Sequence, residues 1–357
     1  MSVLQPGDTL YIRQGVYPEA IRTATTGVPS GTSWSNAVTV AGYPNETVTL
    51  TGDGTAGIDI STGTGVSYVI FQQFILDLSS NPNAIGVYLG GDAHHIRFAA
   101  MEVKSTFSSI GDTTSTALGF QGGANFVEVL RSNIHGFQGY GFYVTGHNWL
   151  IDGNQIHHNA GYGIQIYKSG ASNVSDNVVS NNQIYANGGS FAVFTCGIAL
   201  TSGSNNIAYN NIVRGHAGCG IQIDYTRGGT NNQVYNNTIY GNNGDGIVTG
   251  SGAMNTVIRN NIVYSNTTGN IHDFGSTGTV LSNNLTTDPQ FVDASANDFS
   301  LQASSPAINA GVTVSIVTTD MKGVARPQGA AYDVGAYEYS QGTTPLPAPN
   351  NLRAVAQ

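Results

Sequence analysis

Val179-Ser180-Asn181-Asn182-Gln183-Ile184 is a six-residue frame that this chain repeats. It returns as Val234-Tyr235-Asn236-Asn237-Thr238-Ile239 and as Ile258-Arg259-Asn260-Asn261-Ile262-Val263. The frame is an apolar residue, a spacer, a polar pair, a second spacer, then Ile, Val or Thr. Its second polar residue falls at Asn154, Asn182, Asn211, Asn237, Asn261 and Asn284, with gaps of 28, 29, 26, 24 and 23 residues. A period of about 20 to 50 residues marks a solenoid. Short β-branched runs of period two inside each unit make it a β-solenoid. Asn tolerates the left-handed backbone of a tight turn, and its amide can bond a stacked neighbour. The six asparagines are therefore expected to form one buried ladder at one corner of a stack of coils. That is a strong signal for fold and a weak one for function.

Working outward, the apolar residue after the polar pair marks nine coils, at Ile75, Val103, Ile134, Ile156, Ile184, Val213, Ile239, Val263 and Thr286. Residues 38–40, 48–50 and 58–60 read as earlier coils with less regular turns, and residues 10–13 begin the first. The expected fold is all-β, a parallel β-helix of about 10–12 coils. A second signature, Gly-apolar-x-apolar, recurs as Gly141-Phe142-Tyr143-Val144, Gly163-Ile164-Gln165-Ile166, Gly197-Ile198-Ala199-Leu200 and Gly220-Ile221-Gln222-Ile223. Strand alternation sends its apolar residues inward and the residue between them outward. The expected outward ladder is Tyr88, Gly119, Tyr143, Gln165, Ala199, Gln222, Val248 and His272. Gln121, Thr145, Tyr167, Thr201 and Asp224 are expected to follow one outward step further on.

Only 9 % of the 357 residues are charged and 47 are Gly, which suits a chain of short strands and turns. The net charge of −9 is uneven: −5 over residues 1–96, zero over 97–259 and −4 over 260–357. No basic stripe exists to displace counterions, so nucleic acid is not an expected partner. No apolar run approaches the roughly 18 residues of a membrane span. The opening Met1-Ser2-Val3-Leu4-Gln5-Pro6-Gly7-Asp8 lacks the pattern of a signal peptide and reads as cut from inside a longer protein. Residues 340–349 read as a Ser/Gly/Thr/Pro linker. The two cysteines, Cys196 and Cys219, precede the Gly signature in successive coils. They should stack with Cα atoms about 5 Å apart, and a buried thiol pair is the expected state unless the geometry permits a disulfide.

These repeats resemble the right-handed parallel β-helix of the pectate-lyase-like superfamily, over roughly residues 4–286. Leu4-Gln5-Pro6-Gly7-Asp8-Thr9-Leu10-Tyr11-Ile12 resembles the opening coil of that group. Asp288-Pro289-Gln290-Phe291, Ser305-Pro306-Ala307-Ile308-Asn309-Ala310-Gly311, Arg326-Pro327 and Asp333-Val334-Gly335-Ala336-Tyr337-Glu338 resemble the closing segment of many secreted bacterial β-helix proteins. Asn350-Asn351-Leu352-Arg353-Ala354-Val355 resembles the first strand of a fibronectin type III module. The domain reading is thus a β-helix over 1–339, with 288–339 as a C-terminal cap, then a linker and the start of a further module over 340–357. The resemblance implies a secreted, monomeric carbohydrate-active protein with a polysaccharide as partner.

In that superfamily the substrate lies along the strand of the Gly signature, between loops. Here the turns that leave this strand are long after Ile166 and Ile223, at 13 and 11 residues, against 7 after Val144 and 8 after Leu200. They open with Tyr167-Lys168 and Asp224-Tyr225-Thr226-Arg227. An insertion on the opposite rim carries Phe191 and Phe194, and a second spans 105–116. Sugar rings stack on aromatic faces and hydrogen-bond to amides and carboxylates. β-Elimination on a uronic acid needs a base for the C5 proton and a cation or metal for the carboxylate. The expected catalytic set is Lys168, Arg227, Tyr167 and Asp224; the expected binding set is Tyr143, Gln165, Gln222, Tyr225, Phe191 and Phe194. A glycoside hydrolase is the alternative and needs two carboxylates about 5 to 9.5 Å apart, for which Asp224 and Asp245 are the candidates. A non-catalytic glycan-binding or spacer β-helix is the third reading, favoured by the interruptions at Gly119, Ala199 and Val248. No cofactor is expected, with a single calcium ion near Asp224 the one exception. The chain lacks the Asp-Pro-His of alginate epimerases, the Gly-His-Gly and Arg-Ile-Lys of polygalacturonases and the Trp-Ile-Asp-His of the main pectate lyases. No catalytic set carries over from the resemblance.

Overall fold

A computed structural model describes residues 1–61, 63–106, 117–167, 173–189, 195–224 and 228–340. Three parallel sheets wind around one column. Sheet A has eleven strands from Thr9–Ile12 to Val280–Ser282; sheet B has ten from Gly15–Tyr17 to Ile262–Tyr264; sheet C has ten from Ile21–Arg22 to Gly269–Asp273. Each coil contributes one strand to A, then B, then C, and each strand pairs only with its equivalents one coil before and after. The helix is right-handed, as parallel β crossovers almost always are. Val38–Gly42, Val48–Leu50 and Ala56–Ile60 are the three sides of one coil, not three coils as expected from the sequence. Strands of three to five residues leave room for three of them in one turn of the chain.

Inward residues stack in register and fill the column. On sheet A, Val40, Phe71, Phe98, Val129, Ile151, Val179, Val234 and Ile258 are fully buried. Burying such a side chain contributes roughly 1.5–3 kcal/mol. The rings of Phe71 and Phe98 stack at 5.3 Å and those of Phe120 and Phe142 at 4.9 Å. The Gly signature follows from close approach between coils: a Cβ on Gly163 would stand 2.6 Å from Gly197 O and 2.7 Å from the Ile184 side chain.

The asparagine ladder forms as expected at the corner between sheets A and B. Each Nδ2 donates to the Oδ1 one coil on, from Asn154 through Asn182, Asn211, Asn237 and Asn261 to Asn284, at 2.9–3.0 Å. The first residue of the polar pair supplies the left-handed turn, with φ near 50–60° at Asn181, Asn210, Asn236 and Asn260. Earlier in the chain the ladder position holds Ser132, Met101 and Phe74. The coil anchor there is Leu76, paired with Val103, and not Ile75. A Phe in place of Asn concealed that frame. Two further ladders escaped the sequence reading. Asn177, Asn206 and Asn232 stack at the corner before sheet A. Asn159 and Asn187, then His216, Asn242 and Asn266, stack at the corner before sheet C. Buried His216 replaces one Asn: its Nδ1 accepts from Asn187 N–H and its Nε2 donates to Ile184 O. Burial pushes its pKa down to about 4, so the ring is neutral in this role.

Residues 288–340 lie along the outside of the A–B corner. Phe291, Phe299, Leu301, Val334 and Ala336 pack with Ile212 and Ile262 of sheet B, and Val314 and Val317 pack on Tyr235 of sheet A. Arg326 and Glu338 form a fully buried ion pair at 2.6 Å. Arg326 also donates to Asp333 O, Gly335 O and Asn210 Oδ1. This segment covers the flank of the last coils. Leu281, an inward position in register with fully buried Ile258, is 49 % exposed at the end of the column.

Candidate substrate groove on sheet C

The outward ladder of sheet C runs Asp59, Tyr88, Gln121, Tyr143, Gln165, Ala199, Gln222, Val248 and His272. Gln121 takes the place expected for Gly119, which stands level with Gly86 and Gly141. The signature in that coil ends in Gly122 instead of an apolar residue, which obscured its register. The ladder is therefore more polar than expected. Towards its middle it is also covered: Gln165 and Gln222 are 8 % and 7 % exposed, and Ala199 is fully buried.

Tyr143 and Tyr167 come together, their rings stacked at 5.9 Å. Tyr140 packs 6.1 Å from Tyr143 and edge-on to Tyr162 at 5.2 Å. Burial pushes the Tyr162 phenol up to about 12 and raises that of Tyr140, so both stay protonated as donors. Tyr140 and Tyr162 were missed in the sequence, although both stand one residue before the Gly signature. Cys196, Cys219 and Asp245 occupy the same column, with each carbonyl accepting from the Gly N–H one coil earlier. Cys196 and Cys219 are joined in a disulfide with Cα atoms 4.4 Å apart, which corrects the expected thiol pair. Coil stacking alone brings the two Cα atoms into bonding range.

Asp224 does not stand in the groove as an open carboxylate. It is fully buried, with a left-handed backbone at φ 43°. Its Oδ2 accepts from Asn232 Nδ2 at 2.7 Å, Oδ1 has no partner among the described residues, and the carboxylate fills the space above Gly229. Burial raises its pKa to about 7, against a smaller lowering by the Asn232 bond. Asp245 lies level with Cys219, five residues back along the strand from the Asp224 position. Five residues of strand span about 16 Å, beyond the spacing a hydrolytic pair needs. Asp245 Oδ2 is instead 3.7 Å from His272 Nδ1, and the His272 ring stacks on Phe274. At the other end Arg22 is engaged by Asp53 and Asp59. Lys168, Tyr225, Arg227, Phe191 and Phe194 lie outside the described residues. Among the described residues no three His, Cys, Asp or Glu side chains converge as a metal site, and no helix is long and apolar enough to cross a membrane.

The second outward stack, on sheet B, forms in the expected order through Lys104, His135, His157, Tyr185, Arg214, Tyr240 and Tyr264. The rings of His135, His157 and Tyr185 lie face to face at 4.7–4.8 Å, and Arg214 covers Tyr185. Their inner faces are taken up by one another.

Residues 116–286 match the family described as "Right handed beta helix region". No curated protein sequence matches the chain. Among solved structures, pectate lyase Pel9A is similar at 17 % identity and a TM-score of 0.66, over 95 % of this chain and 89 % of that one. The A-module of the Azotobacter vinelandii mannuronan C-5 epimerase AlgE4 is similar at 16 % identity and 0.53, over 78 % and 87 %. The periplasmic alginate epimerase AlgG is similar at 12 % identity and 0.53, over 78 % and 73 %. Identities this low speak for the fold alone. The described column has the fold of a right-handed parallel β-helix, and its middle and later coils carry the family match.

Proposed function

We propose that the protein is a polysaccharide lyase that cleaves an acidic glycan by β-elimination along sheet C. The observation that carries this reading is the floor itself. Its outward column carries Tyr143, Gln165 and Gln222 with Tyr167 stacked beside Tyr143, and Asp245 stands about 16 Å along the strand from buried Asp224, beyond hydrolytic range. Hydrolysis by an Asp224–Asp245 pair is disfavoured on that spacing. The structural neighbours are named for pectate and for alginate.

In the proposed reaction Lys168 or Arg227 removes the C5 proton of a uronate, the other holding its carboxylate. The electron pair left at C5 forms the C4–C5 double bond and the C4–O bond breaks. Tyr167, stacked on Tyr143, gives its proton to the leaving oxygen. Tyr143 and Tyr225 are platforms, Phe191 and Phe194 rim the pocket, and Gln165 and Gln222 orient the ring. Asp224, whose pKa burial raises to about 7, joins them as an orienting group. The reading assigns no cofactor; a single calcium ion near Asp224, which would take about 6–8 oxygens, is its one exception. The protein is read as an extracellular monomer carried beside other modules.

The test is incubation with a panel of acidic and neutral polysaccharides, following ultraviolet absorbance of unsaturated ends alongside reducing ends. Unsaturated products support the lyase. Reducing ends alone would establish a hydrolase, and neither product would leave a glycan-binding β-helix.

A further inference from the structure

The A–B corner carries a second candidate site, on the far side of the column from the sheet C groove. In the last coils the left-handed corner residues are asparagines that grip the main chain of the 288–340 segment. Asn283 Nδ2 donates to Ala310 O, Asn260 Nδ2 to Val312 O, Asn236 Nδ2 to Asp333 O and Asn210 Nδ2 to Thr319 O. Asn260 Oδ1 accepts from Val312 N–H in return. Alternate carbonyls, at 310 and 312, thus meet successive coils. Here the corner is a reader of polypeptide backbone.

The same corner continues into the first half of the column, and there it is open. A cleft of about 470 Å³ lies along it, lined by Gln73, Glu102, Arg131, Asn133 and Gln155 with Glu46 at one end. Gln73 and Arg131 are left-handed corner residues, equivalent to the gripping asparagines. The two acids are fixed in place: Glu46 by Arg13 and Gln14 N–H, Glu102 by His135. Arg131 makes no side-chain hydrogen bond or ion pair among the described residues, and Asn133 Oδ1 has no donor there. An orphaned amide acceptor and an unengaged guanidinium beside each other call for a ligand that offers N–H and C=O groups together.

We propose that this open half of the corner docks an extended polypeptide segment of a partner protein. Main chain supplies both groups at every residue, and strand-like peptides are held in this way wherever backbone is the ligand. Continuity with the filled half favours polypeptide over glycan: the corner's asparagine amides there bond main-chain carbonyls. The proposal does not depend on the lyase reading, because the two sites share no residue.

The experiment uses the intact protein and a fluorescent synthetic peptide copying residues 309–320, the stretch that the corner already binds. Saturable anisotropy is expected, weakened at least fivefold by Arg131→Ala and partly restored by Arg131→Lys, with melting temperature and any polysaccharide activity unchanged. Binding insensitive to Arg131→Ala would mean that the peptide displaces its intrachain copy, and would overturn the proposal. So would absence of binding, or an Arg131-dependent response to pectate or alginate oligosaccharides with none to the peptide.

Discussion

Replacing Asp224 by Asn is expected to change how stability depends on pH, because the carboxylate is buried with one oxygen unpartnered. In the unfolded chain it ionises near its ordinary value of 3.8, whereas burial holds the folded group to about 7. Between these values the folded state binds more protons than the unfolded one. Stability from this group is therefore full below about pH 4, falls as pH rises, and levels off above about 7. The shift is about 3 units, or at most about 4 kcal/mol at about 1.4 kcal/mol per unit. Asn keeps the shape, can accept from Asn232 and carries no charge. The variant should match the parent near pH 4 and exceed it at pH 8. A chain of 357 residues unfolds with roughly 0.7 kcal/mol per degree, so the gap at pH 8 should approach about 6 °C. Thermal melts of both proteins from pH 4 to 8 measure it. Asp333 and Glu338 are raised as well, but they slope equally in both proteins and cancel in the difference. Parallel curves would refute the reasoning and return Asp224 to the groove as a solvated acid.

Asn237→Leu should cost several kcal/mol in chemical denaturation, since it strips partners from Asn211 N–H, Asn211 Nδ2 and Ala208 O at about 1–3 kcal/mol per unsatisfied group; a loss below about 1 kcal/mol would deny the ladder its role. Glu338→Gln should destabilise by about 3–5 kcal/mol by leaving the Arg326 charge buried and uncompensated, read from the shift in denaturation midpoint. Lys168→Ala or Arg227→Ala should lower turnover at least about a hundredfold, with little change in melting temperature; full activity in both on a cleaved substrate would sink the assigned chemistry. Tyr167→Phe should lower turnover more than it weakens substrate binding, because it removes only a proton, and equal effects on both would make Tyr167 a platform.

The repeat, its period and the ladder were legible because each depends on local rules that act once per coil. An Asn pair reads as a left-handed turn followed by a stacked amide whether or not the neighbouring coil is known. Register was legible wherever the signature was intact and failed where one residue broke it, at Phe74 and at Gly122. Sequence order also grouped correctly what strand alternation groups, such as Tyr143 with Gln165 and Gln222. What it could not weigh was distance across coils. Asp224 and Asp245 are near in sequence, yet the winding sets them at opposite ends of a strand. Cys196 and Cys219 stack at the separation expected from the repeat, and only the bond between them came from the assembled column. Burial was equally out of reach: a polar residue at an outward position reads as exposed until the coil around it is closed. Period and strand pattern are properties of single segments, so the chain's order of residues settled the β-helix. Spacing between charges, the pKa of Asp224 and the division of the A–B corner into a filled and an open half arise from contacts between segments, so only the assembled column decides them.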